Sequence, residues 1–307
     1  MSSTKLRPFF LAQPQLLLKM HICVAAAGIS AILITFSSPV FSSPLEALAC
    51  SAALGQPAFQ SPPSLPVSNK PAPEEANRKT EGLSGPIRLL SWNIQKSQTS
   101  GWDTDLKKFG EDRDLLLIQE ASIQAGISSA LPQDLYQAFA AGYITDSQAT
   151  GVATLSSVAP MLQCNLTAWE PWLGTPKATN ITEYPLALSP LRLLVINLHA
   201  VNFTVGMEDF ITQVEALTPL FNNHKGPLLI AGDFNTWSEA RHTHLDNFML
   251  SHQLVAVDFT PDHRTTFWNL PLDHMYLRGL RALESEVIPV ETSDHNPLLV
   301  TVELTVQ

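Results

Sequence analysis

The stretch Leu228-Leu229-Ile230-Ala231-Gly232-Asp233-Phe234-Asn235 is an apolar run that ends abruptly in a carboxylate and an amide two positions apart. An extended strand alternates its side chains with a period of two, so Asp233 and Asn235 project to one side if the backbone stays extended there. A base or metal ligand then sits beside an amide able to orient water. Taken alone, the pair also suits a turn after a strand, because Asp and Asn bond readily to nearby backbone. Recurrence gives it weight.

Ile87 to Trp92 is another apolar run and leads into Asn93, Gln95 and Lys96. Leu115 to Ile118 ends in Gln119-Glu120, and Leu191 to Leu198 ends in His199, with Asn202 shortly after. Leu272 to Leu277 carries Asp273 and His274, and Ser293-Asp294-His295-Asn296-Pro297 precedes the run Leu298 to Val302. Helical spacing is expected over Asp103–Phe109, Ile123–Ala130, Met207–Phe221 and Ser238–His252, the third with apolar residues at Phe210, Ile211, Val214, Leu217, Leu220 and Phe221. Uninterrupted apolar strands imply burial on both faces. The sum is a layered α/β domain whose strand ends gather acids, amides and histidines at one rim.

Singly, His199 reads equally as a core histidine or a catalytic one, and Asn93, Asp273, Ser293 and Asp294 read as turn residues. Glu120 resists that reading, because an acid closing an apolar run is costly to bury unless it is paired or holds a metal. Independent turn chemistry does not predict an acid, amide or histidine at every major strand end. Glu120, Asp294 and Asn93 offer the oxygen ligands that a hard cation such as Mg²⁺ prefers. No CxxC pair supports a closed zinc site. His242-Thr243-His244-Leu245-Asp246 has the spacing of a binuclear zinc motif, but Asn247 follows where a histidine normally would, and a solvated helix face is the simpler reading.

With 307 residues, 45% hydrophobic and 15% charged, the chain can bury a large core and is not a disordered protein. Its formal charge of -10 argues against gripping nucleic acid through a broad basic surface, so a phosphate substrate would need a metal ion to supply positive charge. Lys5, Arg7 and Lys19, the uncharged segment Ile22 to Phe36, and Ala47-Leu48-Ala49 are the three parts of a secretory signal. Residues 1–49 are therefore expected to be a signal peptide or membrane anchor, and residues 50–86, rich in Pro, Ser and Ala, a linker. The remainder, 87–307, is expected to be the domain that carries the site. Export or membrane anchoring on the extracytoplasmic side is the expected location, with the cytoplasm as the alternative. Cys50 and Cys164 would then either pair or remain free thiols.

The ordered set Trp92-Asn93, Gln119-Glu120, Asn197-Leu198-His199, Gly232-Asp233-Phe234-Asn235, Leu272-Asp273-His274 and Ser293-Asp294-His295-Asn296-Pro297 resembles the endonuclease/exonuclease/phosphatase superfamily. Gly174-Thr175-Pro176-Lys177-Ala178, His199 to Phe203 and Ser293 to Val300 are similar to its bacterial YafD-like branch. The resemblance covers roughly Ile87 to Leu304. It implies a four-layer α/β sandwich, two packed mixed sheets flanked by helices, that cleaves phosphate esters with Mg²⁺ or Mn²⁺. Glu120 would be the principal metal ligand, with Asn93 and Asp294 lining the metal and phosphate pocket. Asp233 would orient or deprotonate the attacking water and Asn235 would hold it. His295 would contact the scissile phosphate with its ring fixed by Asp273, and His199 would donate to another phosphate oxygen. Lys177 and Asn202 would bind substrate. Gln95 stands where many members carry an acid, which leaves a second metal without that ligand.

The expected activity is that of a metal-dependent phosphodiesterase or nuclease. A phosphatase or a lipid phosphodiesterase acting on phosphoinositide or sphingomyelin-like headgroups is the alternative, and a non-catalytic, membrane-tethered interaction protein the third reading. Nucleic acid and phospholipid are the candidate substrates, membrane association would run through the N-terminus, and no protein partner is evident. Trp169, Trp172, Trp237 and Trp268 suit base stacking or lipid contact, with core or rim packing as the plain alternative.

Overall fold

The apolar runs of the sequence become the central strands of two sheets. The computed structural model describes residues 50, 82–132, 134–171, 173–187 and 189–305. The expected signal or anchor, and residues 51–81 of the expected linker, lie outside them. The first sheet takes the order β13 (Leu280–Val287), β14 (Leu298–Leu304), β1 (Ile87–Asn93), β2 (Leu115–Ser122), β4 (Ala149–Ser156), β3 (Tyr136–Ile144). The second is β5 (Leu162–Trp169), β6 (Pro176–Pro185), β7 (Arg192–His199), β8 (Leu228–Asp233), β12 (Asp273–Arg278), β9 (Val255–Ala256). Each holds one parallel pair, β1 with β2 and β7 with β8, among antiparallel neighbours. Both sheets are therefore mixed. β10 (Thr266–Phe267) and β11 (Leu270–Pro271) form a separate hairpin.

Strand alternation sorts most of the described apolar side chains into three large cores. Leu89, Leu115 and Leu117 of the first sheet meet Val195, Leu229 and Ala231 of the second. Leu90, Trp92 and Leu116 point the other way, onto Leu106 and Phe109 of α1 (Trp102–Gly110). Leu228 and Ile230 likewise turn outward, onto Phe210 of α2 (Glu208–Glu215), Leu220 of α3 (Thr218–Asn223) and Leu245 of α4 (Glu239–Ser251). The result is the expected four-layer sandwich. β7 and β8 come so close that a Cβ on Gly232, at φ 146°, would lie 1.9 Å from the Leu198 carbonyl oxygen. Only glycine fits there.

Several sequence expectations change. The single helix Met207–Phe221 is two, because the chain tightens at Leu217, whose N–H reaches Val214 O at 3.2 Å, and restarts with Pro219 in the first turn of α3. The helix over Ile123–Ala130 shrinks to one 3₁₀ turn, Ile127–Ala130, after Gly126 enters the left-handed region at φ 69°. Part of the expected linker is folded: Leu83 is buried and exchanges hydrogen bonds with Pro185 and Ala187. Cys50 is buried too and forms a disulfide with Cys164 of β5, so the free-thiol alternative does not hold.

Candidate active site

Asp233 ends β8 at the junction of the two sheets, buried, with its carboxylate as the hub. Its Oδ2 accepts from Asn93 Nδ2 at 3.1 Å and lies 3.4 Å from His199 Nε2 and 3.7 Å from His295 Nε2. Oδ1 accepts the Asn235 backbone N–H at 2.9 Å. The backbone does not stay extended past Asp233. Asn235 takes φ 49°, and its amide donates to Ala200 O at 3.0 Å, so it reaches the rim by a turn and not by strand alternation.

The other groups arrive from both sheets. Asp273 begins β12 and not the end of a strand. β12 runs antiparallel to β8 and pairs Asp273 with Asp233 across the ladder, which puts its first residue on the same rim. Asp273 Oδ2 lies 2.7 Å from His295 Nδ1. The loop before β14 is stapled to β1: Ser293 donates to Asn93 O at 2.6 Å, and the Trp92 indole donates to His295 O at 2.8 Å. Asp294, between them, is exposed. Glu120 owes its direction to an irregularity in the β2–β4 register between Ile118 and Ala121 and to its own φ of 49°. Such a bulge re-aims a side chain. Gln119 turns inward while Glu120 reaches the rim.

Charges respond to this packing. Burial works against protonation of His295, but Asp273 and then Asp233 override it and raise the ring to about 10. His199 is held well below the usual histidine range by burial and by Lys177, whose Nζ sits 2.9 Å from its Nε2. Desolvation raises Asp233 and Glu120 above ordinary carboxylates. Among the described residues Glu120 accepts no close hydrogen bond; Lys96 Nζ lies 3.9 Å away, and Nε2 of the uncharged His199 ring lies 4.0 Å away.

A desolvated carboxylate without a close donor fits a hard divalent cation, although the Asn93 side chain is engaged at both ends, Nδ2 donating to Asp233 and Oδ1 accepting the Gln95 N–H at 3.0 Å. Asp233, Asp273 and His295 form a more compact trio, with ligand atoms within 4.8 Å of one another, but Asp273 and His295 already bind each other. Glu120 and the Asp233 trio are two places on the rim that could hold a cation. The helix motif His242/His244/Asp246 does not converge: His242 pairs with Asp246 at 3.4 Å, and His244 faces Glu215 at 3.5 Å.

Of the two expected substrate binders, Lys177 reaches the site, whereas Asn202 is held at the rim through its backbone, donating N–H to Glu170 Oε1 at 2.7 Å. Buried Glu170 also accepts from Thr175 and lies 3.8 Å from Lys177 Nζ, joining two rim loops. Sequence reasoning missed Glu170, and it missed Arg241. Fully buried on α4, Arg241 donates to the carbonyls of Val201 at 2.7 Å, Asn235 at 3.0 Å and Asn202 at 3.2 Å, and to Thr204 Oγ1 at 2.6 Å. Lys96 was legible only as a strand-end cation; three successive left-handed residues, Gln95, Lys96 and Ser97, swing it toward Glu120. Beneath the site the buried Gln119 amide donates to Asn197 Oδ1 at 2.8 Å and ties the sheets together.

A layered fold with carboxylates, histidines and a lysine converging at the strand ends defines a hydrolytic site of the phosphoesterase kind. The chain belongs to the endonuclease/exonuclease/phosphatase family, whose profile matches residues 90–295. Within it, the chain is similar to UPF0294 proteins of the YafD-like branch, such as one from Vibrio cholerae, 42% identical over 226 residues that cover 72% of this chain and 79% of the relative. The fold is similar to an endonuclease/exonuclease/phosphatase from Beutenbergia cavernae, with TM-score 0.56, 14% identity and coverage of 71% of this chain and 72% of that one. It is also similar to a mannosyl-6-phosphatase from Bacteroides thetaiotaomicron, with TM-score 0.53, 15% identity and coverage of 71% and 100%. Members of the family hydrolyse phosphate esters and generally depend on a divalent metal.

Proposed function

We propose that this protein is a metal-assisted phosphodiesterase in which Asp233 activates the attacking water and His295 stabilises charge on the phosphate. The observation that carries this reading is the convergence on Asp233: Asn93, His199 and His295 surround one oxygen at 3.1, 3.4 and 3.7 Å while the Asn235 N–H fixes the other. A buried carboxylate oriented in this way, with its proton affinity raised, is a better base than a surface aspartate. A divalent cation held at Glu120 would neutralise the phosphate and polarise its P–O bond. His295, kept cationic by Asp273, offers its Nε2–H to the phosphate. At the opposite corner the Lys177 ammonium can only donate, so neutral His199 accepts from it and Lys177 becomes the phosphate donor. That exchanges the donor role expected of His199.

A diester suits the charge balance better than a monoester. With a divalent cation added to Lys96, Lys177 and His295, the site would carry one positive charge more than Glu120, Asp233, Asp273 and Asp294 supply negative; the single charge of a diester balances it, whereas a phosphomonoester brings about -1.5 to -2 at neutral pH. The test is turnover of bis-p-nitrophenyl phosphate against p-nitrophenyl phosphate with Mg²⁺, Mn²⁺ or EDTA. Asp233→Ala and His295→Ala should each lose about a hundredfold or more in rate while keeping a folded circular-dichroism spectrum. No metal-dependent turnover of either ester would remove the reading.

An extracytoplasmic location accompanies this function. The Cys50–Cys164 disulfide suits an oxidising compartment, and residues 1–49 have the composition of an export signal. A phosphatase reporter fused after Pro86 should be active outside the cytoplasm; an inactive reporter there overturns the assignment.

A further inference from the structure

Exposed apolar side chains gather on the loops that frame the site. β3 runs antiparallel to β4 and β4 to β2, so the β3–β4 turn lies at the Glu120 end of the first sheet. β6 is antiparallel to β7, which places the β5–β6 turn at the His199 end of the second. The loop after β7 and the β10–β11 hairpin before β12 share that rim. On these four segments Ile144, Leu173, Phe203, Val205, Phe267 and Trp268 are exposed, Val205 to 73% and Trp268 to 82%. The segments are tied to one another and to the site. A Cβ on Gly142 would meet Pro176 O at 2.8 Å, Glu170 holds the Asn202 N–H, and Thr265 at the base of the hairpin donates to Asp294 O at 2.9 Å. The hairpin tip has a local cost. Trp268 and Asn269 take φ 47° and 66°, a two-residue turn that suits Asn or Gly and not a bulky aromatic. The indole packs on Phe267, itself exposed, with ring centroids 5.0 Å apart.

Exposed apolar groups concentrated around a site mark a contact surface. Segments 143–149, 169–176, 202–206 and 266–271 contain no Lys or Arg, so they lack the charges that track a nucleic-acid backbone. With a formal charge of -10 the protein is also repelled by anionic bilayers. A rim without cations in these segments, whose only charges are exposed Asp146 and buried Glu170, matches a zwitterionic lipid surface, into whose headgroup layer Trp and Phe partition. We infer that the rim docks on zwitterionic phospholipid bilayers and brings the headgroup phosphodiester to the site. The inference rests on the phosphodiesterase reading and names its substrate class. In the reaction a water oxygen bonds to phosphorus and the P–O bond to one alcohol breaks. Asp233 takes the water proton, His295 keeps its Nε2–H on the phosphate oxygens, and the departing alkoxide takes a proton from solvent.

All six tryptophans lie at or beyond position 92, so quenching by phosphatidylcholine vesicles brominated in their acyl chains reports the domain and not the N-terminal segment. The full chain should be quenched and should release water-soluble phosphate products from these vesicles. The variant Phe203→Ser/Phe267→Ser/Trp268→Ser should lose most of the quenching and about tenfold or more of the vesicle hydrolysis, while turning over bis-p-nitrophenyl phosphate at the wild-type rate. Undiminished quenching and vesicle hydrolysis in the variant overturn the docking surface. Preferential cleavage of single-stranded DNA, lost in the same variant, overturns it in favour of a stacking rim for bases. If wild-type protein fails on bis-p-nitrophenyl phosphate, the phosphodiesterase reading falls, and quenching still decides docking separately.

Discussion

Replacing Arg241 with Met tests whether one buried cation assembles the rim. The substitution removes four hydrogen bonds, to Val201 O, Asn235 O, Asn202 O and Thr204 Oγ1, yet keeps an apolar stem between the Phe210 and Trp237 rings, which lie 4.8 and 4.6 Å from the guanidinium carbon. Bonds from a charged donor contribute about 1.5 kcal/mol each at the low end, or about 6 kcal/mol in sum. Against this stands the cost of burying the guanidinium, a desolvation that already pulls Arg241 down to about 10. Allowing about half of the sum for that offset leaves a destabilisation of about 3 kcal/mol, or about 6–12 °C in Tm for a domain of this size. Arg241→Lys keeps charge but loses the planar fork, so it should recover part of the stability and little of the activity. Thermal unfolding followed by circular dichroism gives the first quantity, and turnover of bis-p-nitrophenyl phosphate the second. If Arg241→Met melts within about 2 °C of wild type, or Arg241→Lys keeps full kcat, the clamp argument is wrong.

Asp273→Asn should lower the His295 titration from about 10 toward the ordinary histidine value, read by ring-proton NMR in metal-free protein. Because the folded pKa is raised, the pair contributes stability that is fully present below about 6.5 and lost as pH climbs through about 10. The gap between wild type and variant should therefore close in alkali, and a gap that widens there contradicts the pairing. Glu120→Gln should weaken Mn²⁺ binding about tenfold or more by calorimetry, since a carboxylate is lost from an oxygen-ligand set; unchanged affinity would move the cation to the Asp233 trio. Cys50→Ser should cost about 2–4 kcal/mol in denaturant midpoint analysis, the usual range for a bridge closing a long loop. With the two cysteines 114 positions apart, a negligible loss would mean that the bridge constrains little of the unfolded chain.

The central strands were legible because burial on both faces demands an unbroken apolar run, and β1, β2, β7, β8 and β14 have one. The outer strands β3 to β6 were not. Their sequences mix Thr, Asn, Gln and Glu with small residues, and the polar groups become strand-compatible only through remote partners: Asn180 donates to Asn165 Oδ1 at 2.8 Å, and Glu183 accepts from Arg192 at 2.9 Å. The site was legible as a list of residue types at strand ends. Glu170 and Arg241 stayed hidden, because one lies just past an unrecognised strand and the other inside a helix whose polar residues read as solvent-facing.

The sequence by itself determined the layered architecture and the chemical inventory, since apolar periodicity selects the buried faces and polar groups interrupt it only at the ends. Tertiary structure decided how that inventory is wired. Asp273 meets His295 because β12 runs back along β8, and Glu120 faces the cleft because of a local irregularity in β2. Ser293 closes on the Asn93 carbonyl from 200 positions away. Such contacts depend on register and chain direction between distant segments, which no local pattern encodes. The same holds for the apolar rim: each exposed residue is unremarkable in its own loop, and they become a surface only where the two sheets bring the loops to one end.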